Sequence, residues 1–439
     1  MTCLSGRKNM KQIKVGIVGF GTVGAGVAEN LIRNHELMVA RLGVDIQLAG
    51  IADLDITADR GVQVPAELLT TDTAALVNSV DIVVELVGGT GFARKLIVDA
   101  LKAGKTVVTA NKALLAEYGD EIFAAAAAGG GNIHYEASVG GGIPVIKALR
   151  EGLAGNRIMR MYGILNGTCN YILTRMENEK SAFAEVLADA QKHGYAEADP
   201  TLDIDGFDTA HKAAILTSLA CGRWVNSNEI HVEGIRNVEA SDIELAAEFG
   251  YRLKLLGIMK SRPEGIEVRV HPTLIPRDSM LAGISGVFNG AMIEGDPVGE
   301  TLYYGRGAGR NATSSAVIAD IADAALDFAC DCRNRRFGFT ACKEAPELLP
   351  MDEVISRYWL SVQVKDTPGV VAGIAGALAA EQISIAGFSQ REKRSSSEGT
   401  QVVFTTHAAS EKAFNNALRV INAMSTVLSP CRVLRIEEL

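Results

Sequence analysis

Val15-Gly16-Ile17-Val18-Gly19-Phe20-Gly21-Thr22-Val23-Gly24 is a short apolar run that opens into a glycine-rich turn and then into a helical pattern. Three glycines so spaced between a strand and a helix form a dinucleotide-binding fingerprint. The first permits a tight turn, the second lets a pyrophosphate approach the backbone, and the third lets the helix pack on the sheet. Gly19, Phe20, Gly21, Thr22, Val23 and Gly24 are therefore expected to wall a nucleotide site, the bland alternative being a plain strand-to-helix turn.

The same rhythm continues to about residue 140. Compact Val- and Ile-rich strands are expected at 13–18, 47–52, 81–87 and 106–109, with helices at 24–34 and 92–103. Strands alternating with helices predict an α/β domain with a doubly wound parallel sheet, whose ligands sit at the carboxyl edge. From about residue 143 the pattern becomes α+β. Helices are expected at 144–152, 181–193, 207–221 and 243–254, strands at 157–166, 267–275 and 286–293, and a glycine-rich loop 305–310 feeds a last helix, 313–330. Residues 331–356 read as a linker, and the tail reads strand, helix, strand, strand, helix, strand, a ferredoxin-like unit. The expected domains are 1–143 for the dinucleotide, 144–330 for substrate and catalysis, with its last segment returning to the cofactor domain, and 357–439 for the tail.

A chain of 439 residues, 48% hydrophobic and 22% charged, is a multidomain globular protein. Its net charge of -9, without long like-charge runs, argues against nucleic acid or an anionic membrane as a partner. No signal peptide or run of membrane-spanning length is visible, so a cytoplasmic location is expected. The seven cysteines, Cys3, Cys169, Cys221, Cys330, Cys332, Cys342 and Cys431, are scattered and never form a C-x-x-C pair. That spacing argues for a reducing compartment and against a disulfide framework, and no second pair or nearby His completes a metal shell around Cys330 and Cys332.

Four further places carry chemistry. Asp53, or failing it Asp55, follows the second strand, where a carboxylate accepts hydrogen bonds from the adenosine ribose and repels a 2′-phosphate, unless it is only a helix cap or a solvated loop acid. Lys112 follows the fourth strand at the sheet's carboxyl edge, suited to binding a carboxylate or moving a proton, the alternative being a solvated lysine at a helix start. Glu136 stands before the turning backbone of Ser138-Val139-Gly140-Gly141-Gly142-Ile143, a setting for a hard cation or simply a helix cap. Asp208 and Lys212 are one helical turn apart and share a face. Such pairs are often structural, but Glu197, Asp199, Asp203 and Asp205 precede this one on a Gly- and Pro-bearing loop. Carboxylates bind a protonated amine, and hydride transfer from an alcohol needs a group that takes the hydroxyl proton.

Taken together, GFGTVG at 19–24, ELVGGT at 85–90, TANKALL at 109–115, YEASVGGGIPVI at 135–146, GILNGTCNYIL at 163–173, GYAEADPTLDIDGFDTAHK at 194–212, HVEGI at 231–235 and GRGAGRNATSSAV at 305–317 resemble the homoserine dehydrogenase family over residues 13–330. The tail, with DTPGV at 366–370, resembles an ACT domain. The resemblance implies NADP- or NAD-dependent interconversion of L-homoserine and L-aspartate 4-semialdehyde, in threonine and methionine biosynthesis. It implies that Lys212 moves the proton, that Lys112 lies nearer the nicotinamide, that Glu197 holds the substrate amine and that Asp208 positions substrate or lysine. Gly167 and Thr168 are implied as substrate-pocket residues, and Gly89, Thr90 and Gly307 as cofactor contacts. A sodium or potassium ion held near Glu136 by backbone oxygens of Val139, Gly141 and Ile143 is implied as well. So are a homodimer or homotetramer and a threonine effector at the tail, against which stands a tail serving dimerisation alone. Many relatives carry an arginine just after the second strand, suited to the phosphate of NADP, where this chain reads Ala52-Asp53-Leu54-Asp55.

Two competing readings remain. An aspartate-semialdehyde dehydrogenase needs a cysteine nucleophile, and Cys169 and Cys221, expected on a strand and a helix, lack a histidine neighbour in sequence. A ligand-sensing protein with a decayed dehydrogenase fold fits the tail but not the retained lysines and acids.

Overall fold

The computed structural model describes residues 10–332, 338–390 and 399–439, so Cys3 and part of the expected linker lie outside the described residues. The chain divides into two compact units. One comprises residues up to Gly167, Asp208–Ile230 and Val287–Ala345; the other comprises Thr168–Phe207, His231–Gly286 and Pro346–Leu439.

In the first unit six parallel strands form one sheet in the order Leu69–Thr70, Asp45–Ala52, Gln12–Val18, Ile82–Glu85, Thr106–Thr109, Asn132–His134. The order reverses at Gln12–Val18, and the switch point where a doubly wound sheet opens a crevice lies beside it. Val15, Gly16, Ile17 and Val18 are buried in succession, as the end of a strand covered on both faces requires. The helix Thr22–Arg33 covers one face together with a late arrival, the helix Arg310–Ala329, whose Val317, Ile321, Ala325 and Phe328 enter the same core. The two helices approach so closely at Gly26 that a β-carbon there would meet Arg310 Cγ at 2.8 Å. Antiparallel strands Arg157–Ile164, Phe288–Asp296 and Gly299–Arg306 complete this unit's β structure.

The second unit holds a long hairpin, Tyr251–Arg262 with Gly265–Pro276, and the tail. The tail's strands are antiparallel in the order Arg432–Ile436, Ile355–Val364, Thr400–Thr406, Ile385–Gln390. With helices Val370–Ala380 and Glu411–Asn422 packed around Tyr358, Leu360, Ile374, Phe404, Phe414 and Ile421, this is the expected ferredoxin-like unit. The strand Arg432–Ile436 also pairs in parallel with Gly265–Pro276, Thr273 opposite Arg435.

Several element expectations need correction. The helix expected at 243–254 ends at Glu248; Gly250 turns with φ 82°, and Tyr251–Arg262 is a strand. Its middle residues are buried on both faces, so no two-residue alternation marks it. Gly167–Glu179 is a helix that the reading missed, which moves Cys169 from a strand to a helix. The strand Gly299–Arg306 was also missed, and 144–152 is a short helix, Val145–Lys147, continued by a wide turn, Ala148–Gly152. Among the described residues no helix is long and apolar enough to cross a membrane.

Candidate active site

The glycine turn has the conformation its spacing predicts. Gly19 has φ 104°, and a β-carbon at Gly24 would lie 2.0 Å from the Gly19 carbonyl oxygen, so neither position takes a side chain. A β-carbon at Gly21 would meet nothing within 4 Å: this side of the turn is open, as an approaching diphosphate needs. Asp53 closes the turn from the second strand. Phe20 N–H donates to its Oδ2 at 2.5 Å and Asp55 N–H to its Oδ1 at 3.0 Å. Asp53 therefore both shapes the turn and puts negative charge at its rim.

Around the fourth and fifth strands the TANK segment divides its work residue by residue. Thr109 Oγ1 donates to buried Glu85 at 2.7 Å, and Glu85 accepts the N–H groups of Val87 and Gly88 at 2.9 and 3.0 Å, which fixes the loop leading to Gly89 and Thr90. Asn111 donates from Nδ2 to Gly89 O at 2.8 Å and caps the helix Lys112–Gly129 by accepting Leu114 N–H. Lys112 is thus the first helical residue, 40% exposed along its side chain, and its Nζ lies 3.3 Å from Asp208 Oδ1.

Asp208 Oδ2 accepts from Lys212 Nζ and from Asn166 Nδ2, both at 2.7 Å. Lys212 Nζ donates also to Leu165 O at 2.6 Å, and Asn289 Nδ2 donates to the same carbonyl at 2.9 Å. Asp208 and Lys212 are buried, at 7% and 8% exposure. Burial alone would raise the Asp208 carboxyl, but Lys212 and Lys112, with hydrogen bonds from Lys212 and Asn166, hold it well below the usual range. The result is an ionised carboxylate shared by two ammonium groups.

Asn289, Asn166, Glu85 and Thr109 were not singled out from sequence. Asn166 stands in the GILNGTCNYIL stretch, and Thr109 and Glu85 stand at the ends of motifs already quoted, so their signal was present but unread. Asn289 carried none, being one polar residue in a strand-like run. It is 1% exposed, its Oδ1 has no hydrogen-bond partner among the described residues, and a β-carbon at Gly307 would lie 2.0 Å from its Nδ2. Gly307 is therefore required by Asn289 beneath it. The loop of Gly307 also meets Gly141, whose β-carbon would lie 2.5 Å from Gly307 C and O.

Glu136 is 2% exposed, and its two carboxylate oxygens accept the N–H groups of Ile146 and Lys147 at 2.9 and 2.7 Å. Burial raises its carboxyl to about 7 against these hydrogen bonds, and the neighbouring Asp320, which accepts Glu136 N–H at 2.7 Å, rises to about 8 by burial and by facing Glu136. The carboxylate thus caps the next helical turn, one of the two roles left open for this acid. Val139, Gly141 and Ile143 are buried in the turn that follows, where Gly140 and Gly141 have φ 74° and 56°. Among the described residues no cluster of His, Cys, Asp and Glu could hold a metal ion.

The second unit carries the acidic loop. Thr168 Oγ1, at the start of the helix Gly167–Glu179, donates to Tyr195 O at 2.7 Å, and Cys169 Sγ to Asp203 O at 3.1 Å. Asp199 accepts Thr201 N–H, and Asp205 receives both Nε and Nη2 of Arg236 at 2.9 Å. Those two acids have structural partners. Glu197 is exposed, and its carboxylate makes no hydrogen bond among the described residues.

Models of the homoserine dehydrogenase catalytic domain and of the homoserine dehydrogenase NAD-binding domain match residues 144–322 and 19–136. The chain belongs to the homoserine dehydrogenase family. It is an NAD(P)-dependent oxidoreductase of that family, and an ACT domain model matches residues 358–425. A homoserine dehydrogenase of Neisseria gonorrhoeae is 46% identical, covering 98% of this chain and all of the relative; one of Pseudomonas aeruginosa is 43% identical with the same coverage. The crystal structure of a homoserine dehydrogenase from Thiobacillus denitrificans superposes with a TM-score of 0.93 at 42% identity, covering 98% of this chain and 99% of that one. A hyperthermophilic archaeal homoserine dehydrogenase in complex with NADPH superposes with a TM-score of 0.61 at 29% identity, covering 72% of this chain and 98% of that one. Neither competing reading is favoured.

Proposed function

We propose that the Lys212–Asp208–Lys112 cluster moves the proton in the interconversion of L-homoserine and L-aspartate 4-semialdehyde. The observation that supports this is the environment of Lys212 Nζ. Of its three ammonium protons, Leu165 O accepts one and Asp208 Oδ2 another, which leaves the third for a substrate oxygen. In the reducing direction that proton goes to the nascent alkoxide; in the oxidising direction the neutral amine takes the hydroxyl proton. Asp208 keeps the amine oriented in both protonation states. Lys112 offsets the carboxylate's charge from its other side and stands nearer the nicotinamide. Glu197 binds the substrate's ammonium, with Gly167 and Thr168 lining the pocket.

Gly19 through Gly24, with Gly89, Thr90 and Gly307, hold the cofactor, which when bound supplies or accepts the hydride at the substrate's terminal carbon. The open face of Gly21 and the helix start at Thr22 suit its diphosphate. Asp53 favours the free ribose hydroxyls of NAD over the phosphate of NADP. A sodium or potassium ion belongs to the proposal at Glu136 and the backbone oxygens of Val139, Gly141 and Ile143, with the Glu136 carboxylate also anchoring that turn. A homodimer or homotetramer, a cytoplasmic location and threonine as an effector at the tail complete the reading.

Initial rates with homoserine and each of NAD and NADP, in sodium, potassium and choline salts, test it. Lys212→Ala should abolish most turnover with cofactor binding intact. Loss of both together would assign Lys212 a structural role instead.

A further inference from the structure

The tail's last strand does more than close its own sheet. Arg435 is 5% exposed, and its guanidinium is shared between two carboxylates. Nε and Nη2 donate to Glu411, which opens the tail helix Glu411–Asn422, with the Nε contact at 2.9 Å. Nη1 and Nη2 donate to Glu233 at 3.0 and 2.9 Å. A buried guanidinium held bidentately on both sides has one geometry, so Glu233 is fixed relative to the tail. Glu233 is also held by His231 Nε2 at 2.7 Å, and its own N–H donates to Val270 O at 2.8 Å.

The next three residues hold the acidic loop. A β-carbon at Gly234 would lie 2.1 Å from Ile204 O and 2.4 Å from Asp205 Cα, so the two backbones touch with no room for a methyl group. Ile235 N–H donates to Ile204 O at 2.7 Å, and Arg236 clamps Asp205. The Arg236 pair is half exposed and contributes little by itself. The contact at Gly234 is different, because close-packed backbone cannot slide without displacing its neighbour. All these residues, and the loop with Glu197, belong to the same compact unit.

We propose that Arg435 is a positioning residue for the acidic substrate loop, acting through Glu233 and the Gly234–Ile204 contact, so that the tail sets the register of the segment that binds the substrate amine. This rests on the reading of Glu197 as the amine's partner. Motion of the tail helix that carries Glu411 is then felt at Glu233 through the shared guanidinium.

The test uses the full chain with Arg435→Met, Arg435→Lys, Glu233→Gln and Glu197→Gln. Arg435→Met should raise KM for homoserine about tenfold or more, leave kcat within about threefold and leave cofactor Kd unchanged, with Arg435→Lys recovering part of the loss. Amide hydrogen exchange of residues 195–206 should quicken in the same variant. Glu233→Gln, which keeps volume and packing, should shift KM and exchange in the same direction and covers the case where Arg435→Met does not fold. Unchanged KM and exchange in whichever of these folds overturn the proposal. Should Glu197→Gln also leave KM unchanged, the substrate-loop reading itself fails; should Glu197→Gln raise it while the others do not, only the positioning role of Arg435 fails.

Discussion

Asn289 and Lys212 share one acceptor: both donate to the carbonyl oxygen of Leu165, at 2.9 and 2.6 Å. The amide's own oxygen is buried without a partner among the described residues, an arrangement that costs about 1–3 kcal/mol. Such a cost is tolerated where the donor on the same side chain is needed. Asn289→Asp keeps the shape but replaces the donor with an acceptor facing Leu165 O. The expected result is a fall in kcat of about tenfold or more, from a misaimed Lys212, with cofactor binding retained. Fluorescence titration with NADPH beside steady-state rates measures both, and turnover within twofold of wild type would refute the role.

Asp208→Asn should be worse for folding than its size suggests. Two ammonium groups would face a neutral amide, and breaking a buried ion pair in this way costs about 3–5 kcal/mol, reduced here because Lys112 is partly exposed. Thermal melts should show a clear loss of Tm alongside a large loss of turnover. The folded carboxyl is held below its unfolded value, so its contribution to stability is complete above about pH 4 and is lost as the pH falls through that lowered value. Wild-type stability should therefore weaken in acid more steeply than that of Asp208→Asn.

Lys254 supplies a pH prediction of the same sign in the alkaline range, from a buried charge that the fold disfavours. It is 2% exposed, with Nζ on Asn170 Oδ1 at 3.0 Å and on Ile284 O at 2.5 Å, and burial, with Arg252 nearby, lowers it to about 8. Below pH 8 the fold carries a buried cation. Between pH 8 and the unfolded value near 10.5 the unfolded chain binds more protons, so stability contributed by this site rises across that window, by up to about 3 kcal/mol. Chemical denaturation at pH 7.5 and 10 should show the rise in wild type and a smaller one in Lys254→Met.

Asp53→Ser removes the charge at the rim of the glycine turn. The ratio of kcat/KM for NADP to that for NAD should increase by about tenfold, as expected for relief of one like-charge contact at a partly exposed site. Because Asp53 also accepts Phe20 N–H, both cofactors should bind somewhat less well. An unchanged ratio would show that the ribose is read elsewhere.

Much of this was legible in the residues. Glycine spacing located the cradle, and TANK and GFDTAHK located the two lysines and their carboxylate. Each lies where a motif is confined to one turn or one helix start, so local geometry carries the information. What escaped is non-local. Asn289 acts across 124 residues on a carbonyl, a pairing that no periodicity announces. Tyr251–Arg262 escaped because burial on both faces erases the alternation by which a strand is recognised, and Gly167–Glu179 because it follows a strand with only the short turn at Asn166 between.

The return of the helix Arg310–Ala329 into the first sheet's core has a consequence for biogenesis. Val317, Ile321, Ala325 and Phe328 fill the same interior as Ile13 and Val15, although some 300 residues of polypeptide separate them. A nascent chain halfway through synthesis therefore has a nucleotide cradle with part of its apolar lining still unmade. Folding of the earliest-emerging segment is completed only after most of the message has been translated, and a fragment cut after the sixth parallel strand should expose that lining and aggregate.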